Sequence, residues 1–151
     1  MASRRPAFFG PGRVPDTLEG RFEVMALNGI LSLIRLKAAP EMAPMTQHFA
    51  DQLFRQFDAG LREEGVGDTS VPKRMRVMAS AFYGRLDAYA AALQQGDAGA
   101  LAAVLGRNIL GDAAHPFAPA LARYAAATAA AQAAAAPQAL FEAAAWDASP
   151  G

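Results

Sequence analysis

Cysteine is absent from the chain, and histidine occurs only twice, at His48 and His115. Disulfides, thiol chemistry and Cys/His zinc sites are thereby excluded. Neither histidine has a serine or carboxylate placed to suggest a triad, and His115 directly precedes Pro116. Both are read as non-catalytic. A surplus of either charge is also missing, since 14 Lys and Arg stand against 14 Asp and Glu. With no global cationic field, DNA is not an expected partner, and binding to any polyanion needs a local patch. Long apolar runs are lacking too. The longest uncharged apolar stretch lies between Glu23 and Arg35 and has 11 residues, too few to cross about 30 Å of hydrocarbon as a helix. The first residues, MASRRPAFFGPGRVPD, carry arginines but no apolar run of signal-peptide length. The expected location is cytoplasmic, peripheral to a membrane at most.

What is present is apolar material with helical spacing. Hydrophobic residues make up 53% of 151 residues, enough for one core and one domain. Residues 1–15 contain Pro6, Gly10, Pro11, Gly12 and Pro15, a density of breakers that predicts an extended arm. Asp16 and Glu19 have capping-box spacing and predict a helix start there. Two apolar stripes follow, Phe22, Met25, Gly29, Leu33 and Leu36 beside Val24, Leu27, Leu31 and Ile34, so this helix belongs at the centre of the core. Met45, Phe49, Leu53, Phe57 and Leu61 recur every four residues and predict a second, amphipathic helix. Val71, Met75, Met78, Phe82, Leu86, Tyr89 and Leu93 predict a third, from about 71 to about 95. Asp97 caps a shorter helix carrying Leu101, Val104, Leu105 and Ile109 and ending near Gly111. Pro116 restarts the chain, and from Ala118 to Ala145 17 of 28 residues are alanine, a composition of high helix propensity and little anchoring volume. No strand alternation and no 20 to 50 residue repeat is seen. The expected class is all-α, one multi-helix domain of five to six helices at 16–136. An arm at 1–15 precedes it, and an alanine-rich tail at 137–151 is interrupted at Pro137.

The stretch LREEGVGDTSVPKRMR, Leu61 to Arg76, invites a phosphate-loop reading. A P-loop needs a strand before it and Lys directly after its last glycine. Here an amphipathic helix precedes, and Lys73 follows Pro72. Gly65 fits a left-handed helix stop, Asp68, Thr69 and Ser70 offer capping oxygens, and Pro72 suits a first helical turn. The cations Lys73, Arg74 and Arg76 are placed against the helix dipole. Either Glu63, Glu64 and Asp68 pair with them across the turn, or an anionic or polar partner does. Tyr83 and Arg85 lie off the core stripe, as rim contacts or as part of that surface. Glu63 and Glu64 are adjacent and do not face each other on a helix, so no acid/base pair follows.

Three passages together resemble the ubiquinol-cytochrome c chaperone family, assembly factors for cytochrome b of the respiratory quinol:cytochrome c reductase. They are RRPAFFGPGRVPDTLEGRFEVMAL, FADQLFRQFDAGLREEGVGDTSVPKRMRVMASAFYGRLDAYAAAL and ALAAVLGRNILG. The resemblance runs from Arg4 to Gly111, with Tyr124 as the tyrosine of the following helix, and is of the bacterial type. It implies a non-enzymatic chaperone without cofactor, holding newly made cytochrome b at the inner-membrane surface or the ribosome, with a small partner protein. The family's first helix usually reads Leu-His where this chain has Leu27 and Asn28, so no role of that histidine carries over. Methionine adapts to irregular apolar surfaces, and Met75 and Met78 lie beside the cations. The candidate contact is therefore Lys73, Arg74, Met75, Arg76, Met78, Tyr83 and Arg85. The alternative is a helical carrier of lipid or quinone, which requires a cavity of a few hundred cubic ångströms.

Overall fold

Helix α1, Leu18–Lys37, begins where Thr17 turns extended and its Oγ1 accepts the Gly20 N–H at 3.1 Å. Asp16, expected as the cap, instead accepts the Arg21 Nε–H at 2.8 Å. The structure, a computed structural model, describes residues 6–141. More than half of α1 is buried, as its double apolar stripe requires, and α2, α3 and α5 all pack on it. Gly29 makes room for a side chain of α2: a Cβ there would lie 2.5 Å from Leu53 Cδ2.

Helix α2, Ala43–Glu63, buries Leu53, Phe57 and Leu61 on one stripe and leaves its charged face in solvent. It closes as the glycines predict. Gly65 takes φ of 85°, and the Val66 N–H reaches back to the Leu61 carbonyl at 3.0 Å, a closure that satisfies an end carbonyl at low steric cost. Helix α3, Val71–Gln95, starts with Pro72 in its first turn and stops at Gly96, whose φ is 67°. Ser70 makes no side-chain cap there, and Asp68 turns to Arg62 instead. Helix α4, Ala98–Leu105, is capped by Asp97, which accepts the Ala100 N–H at 3.0 Å. A wider π-type turn, Gly106–Leu110, follows and ends at Gly111. Helix α5, Ala118–Ala134, packs along α4 and α1, and a 3-10 turn starts at Pro137.

The class is all-α: among the described residues no strand forms, and one isolated bridge links Phe9 to Val14. That bridge closes a hook. Where the density of breakers predicts an extended arm, Pro6–Phe8 forms a 3-10 turn, and Phe8 and Val14 are fully buried. The breakers shape the local backbone, but burial of two large apolar side chains, roughly 1.5–3 kcal/mol each, ties the segment to the core. Phe8 meets Tyr124 of α5 edge to face at 5.0 Å. Glycine is required at 20, since a Cβ there would come within 1.9 Å of the Pro15 carbonyl oxygen where the hook joins α1. Of the expected arm and tail, residues 1–5 and 142–151 lie outside the described residues.

Candidate partner-binding site

The start of α3 presents Lys73, Arg74 and Arg76 to solvent, and none of the three forms an ion pair among the described residues. Of the acids expected to neutralise them, Glu64 and Asp68 are otherwise engaged, and Glu63 pairs with none of the three. Arg62 takes Asp58 at 2.9 Å and also Asp68, while Arg21 takes Asp16 at 2.8 Å and Glu64 at 3.4 Å. Three cations therefore stand in the first turns of a helix, where the backbone N–H groups already carry partial positive charge.

Apolar surface continues the same face. Val77, 64% exposed, lies one turn after Lys73, and Tyr83, 51% exposed, lies two turns after Arg76, so two neighbouring rows on the solvent side each carry a cation first and bare apolar surface further on. The Tyr83 ring is held from behind by Phe82 at 5.6 Å and Phe54 at 5.9 Å. Next to it Gly84 stands in open space, with nothing within 4 Å of where a Cβ would sit. Glycine inside a helix costs about 1 kcal/mol against alanine, and no internal contact accounts for it.

The other residues grouped with this surface face elsewhere. Met75 and Met78 are half-buried and packed against the core. Arg85 is turned inward, its Nε–H and Nη2–H donating to the two carboxylate oxygens of Glu23 on α1, each at 2.6 Å. Burial pushes the Glu23 carboxyl above its ordinary range, and Arg85 opposes that shift without cancelling it. Burial, reinforced by Glu23, also pushes the neighbouring Tyr89 phenol well up. Arg85 thus joins α1 to α3 and leaves the solvent side of the helix to Lys73, Arg76, Val77 and Tyr83, with Arg74 on its flank. Sequence reasoning missed Val77, whose only signal is an apolar residue out of phase with the core stripe. It also missed Glu23, whose partner lies 62 residues away.

Asn28 is buried, and its Oδ1 accepts the Tyr124 hydroxyl at 2.6 Å; it fastens α1 to α5. His48 is exposed on α2, and His115 Nδ1 accepts the Phe117 N–H at 3.0 Å inside a turn. Among the described residues no cluster of His, Cys, Asp and Glu is fit to hold a metal ion, and no helix is long and apolar enough to cross a membrane.

The model of the ubiquinol-cytochrome C chaperone family matches residues 12–146. The crystal structure of the Cbp3 homolog from Brucella abortus is similar over 98% of this chain and 81% of its own, with 41% identity and a TM-score of 0.81. No curated protein matches the chain.

Proposed function

Because the chain belongs to the ubiquinol-cytochrome C chaperone family, we propose that it is a non-enzymatic chaperone for assembly of the quinol:cytochrome c reductase. In this reading it holds newly made cytochrome b and meets it with the exposed face at the start of α3. The observation that carries the placement is the unneutralised set Lys73, Arg74 and Arg76 running into exposed Val77 and Tyr83. A partner supplying carboxylates, phosphates or helix C-terminal carbonyls would complete those cations, while its apolar surface covers Val77 and Tyr83. The protein works on the cytoplasmic side of the inner membrane, docking at its surface or at the ribosome, and a small partner protein has room on the remaining faces.

The experiment is deletion of the gene, followed by complementation with the wild type or with K73E/R74E/R76E and a membrane spectrum for b-type haem. Deletion lowers the b-haem signal and the wild type restores it. The triple variant, folded by circular dichroism, fails to restore it. Full restoration by the variant sinks the placement, and an unchanged spectrum in the deletion strain sinks the chaperone reading itself. A lipid or quinone carrier would need enclosed apolar space. The rings of Phe22, Phe54, Phe57 and Phe82 pack in contact at 5.0–5.9 Å, and the cleft of about 660 Å³ that Phe22 and Phe57 border is open and lined by Asp16, Glu63 and Glu64 as well.

A further inference from the structure

A cleft of about 660 Å³ opens between the hook, the start of α1, the end of α2 and Met78 of α3. Its size lies within the roughly 300–1,000 Å³ of sites that bury a sizeable ligand. The floor is apolar, with Phe9, Phe22, Met25, Phe57 and Met78, and two of these are methionines, which reshape to different occupants. The rim is acidic. Asp16, Glu63 and Glu64 line it against one guanidinium, that of Arg21, which is already shared between Asp16 and Glu64. Glu63 forms no ion pair among the described residues, so the described residues that line the opening carry net negative charge.

An apolar floor under an acidic rim is complementary to an apolar stretch that ends in lysine or arginine. Membrane-spanning segments have that composition at one end, where positive residues flank the hydrocarbon-spanning run on the cytoplasmic side. A free quinone or a neutral lipid tail fits the floor but leaves the rim unanswered, and an anionic headgroup is repelled by it. We infer that the cleft seats the positively flanked end of an apolar, membrane-destined segment of the client. This rests on the chaperone reading for its client and adds the chemistry of the segment recognised. The segment's basic flank is assigned to the Glu63–Glu64 side of the rim, where Glu63 forms no ion pair among the described residues.

Fluorescence anisotropy tests the inference on the full chain with a labelled peptide of Leu, Ile and Phe ending in Lys-Arg-Lys. Two comparison peptides carry a Glu flank or serine in place of the apolar residues. The Lys-Arg peptide binds the wild type most tightly. The charge-reversed variant E63K/E64K, both positions being exposed, binds it on the order of tenfold more weakly and gains affinity for the Glu-flanked peptide. Equal affinity for the two flanks, no change in E63K/E64K, or binding of the serine peptide as tight as the apolar one overturns the inference. So does displacement of the peptide by a soluble quinone, or by phosphatidylglycerol vesicles whose own binding is unchanged in E63K/E64K. Complementation by the same variant separates the two claims. If deletion lowers b-type haem while E63K/E64K restores it fully, the cleft assignment falls and the chaperone reading stands. If deletion changes nothing, the chaperone reading falls while the peptide measurement still decides what the cleft binds.

Discussion

Arg85 on α3 holds both carboxylate oxygens of Glu23 on α1, with side chains only 19% and 12% exposed. Taking two charges that far from water costs several kcal/mol per ion, and their attraction offsets this only when the geometry is good. R85M strands the carboxylate and should destabilise the fold by about 3–5 kcal/mol. E23L/R85M removes both desolvation costs and should recover most of that loss. Urea unfolding of the two variants checks it. A double variant as unstable as R85M would mean that the pair stabilises the α1–α3 joint through its attraction.

The same pair sets a pH slope. Because burial raises the folded Glu23 pKa above its unfolded value, the folded state binds the proton more readily. The stability that protonation contributes is present below the ordinary carboxylate range and lost as pH rises through the folded pKa. E23Q should remove that component, so the difference in Tm between E23Q and wild type grows across this window. A difference independent of pH would contradict the assignment.

Two buried polar groups on α5 should respond in opposite directions. Y124F deletes the hydrogen bond to Asn28 and is expected to cost about 1–2 kcal/mol. Thr128 is fully buried one turn later, and its Oγ1 has no partner among the described residues. T128V keeps the shape while removing an unsatisfied group, so it should be neutral or stabilising by roughly 1 kcal/mol. Thermal unfolding of both settles the contrast.

Glycines give a graded set. G20A drives a Cβ into the rigid Pro15 carbonyl, whereas G29A meets only the end of the Leu53 side chain, which can rotate away. The first should be the more damaging, and the second should lie within the roughly 1–3 kcal/mol of core overpacking. G84A enters open space inside α3 and should stabilise by about 1 kcal/mol. If it also impairs complementation, Gly84 serves close approach of a partner; denaturation with the haem spectrum separates the two effects.

K73E/R74E/R76E should leave the Tm unchanged or raise it, because it places carboxylates where the dipole of α3 favours them. A large fall in Tm would show that the cations stabilise the fold and that their position is not set by a partner.

Local signals were the legible part. Pro72 in the first turn, the apolar stripe from Val71 to Leu93 and Asp97 as the cap of the next helix locate both ends of α3, because each acts within a turn of its own position. Gly65 and Val66 were legible as a helix stop for the same reason. The hook was not: proline and glycine density reports which dihedrals are easy, while the burial of Phe8 depends on Tyr124, far along the chain. The inward turn of Arg85 was hidden in the same way, since its partner is fixed only once α1 and α3 are in register. Exposure of the three cations could be read from helical phase. Their lack of partners could not, because Arg21 takes Glu64 and Arg62 takes Asp68 only once the helices are packed.

Two long-range hydrogen bonds from one side chain bear on how the chain is made. Arg35 of α1 donates its Nε–H to the Gln132 carbonyl at 2.7 Å and its Nη2–H to the Ala135 carbonyl at 2.8 Å, spanning 97 and 100 residues of sequence. The alanine-rich α5 brings few large side chains of its own, so a guanidinium from the first helix gathers the orphan carbonyls at its end. During synthesis α1, more than half of it destined for burial, emerges about 100 residues before that clasp can form. The first helix is thus left without the contact that ties it to α5 until about 100 further residues have been made.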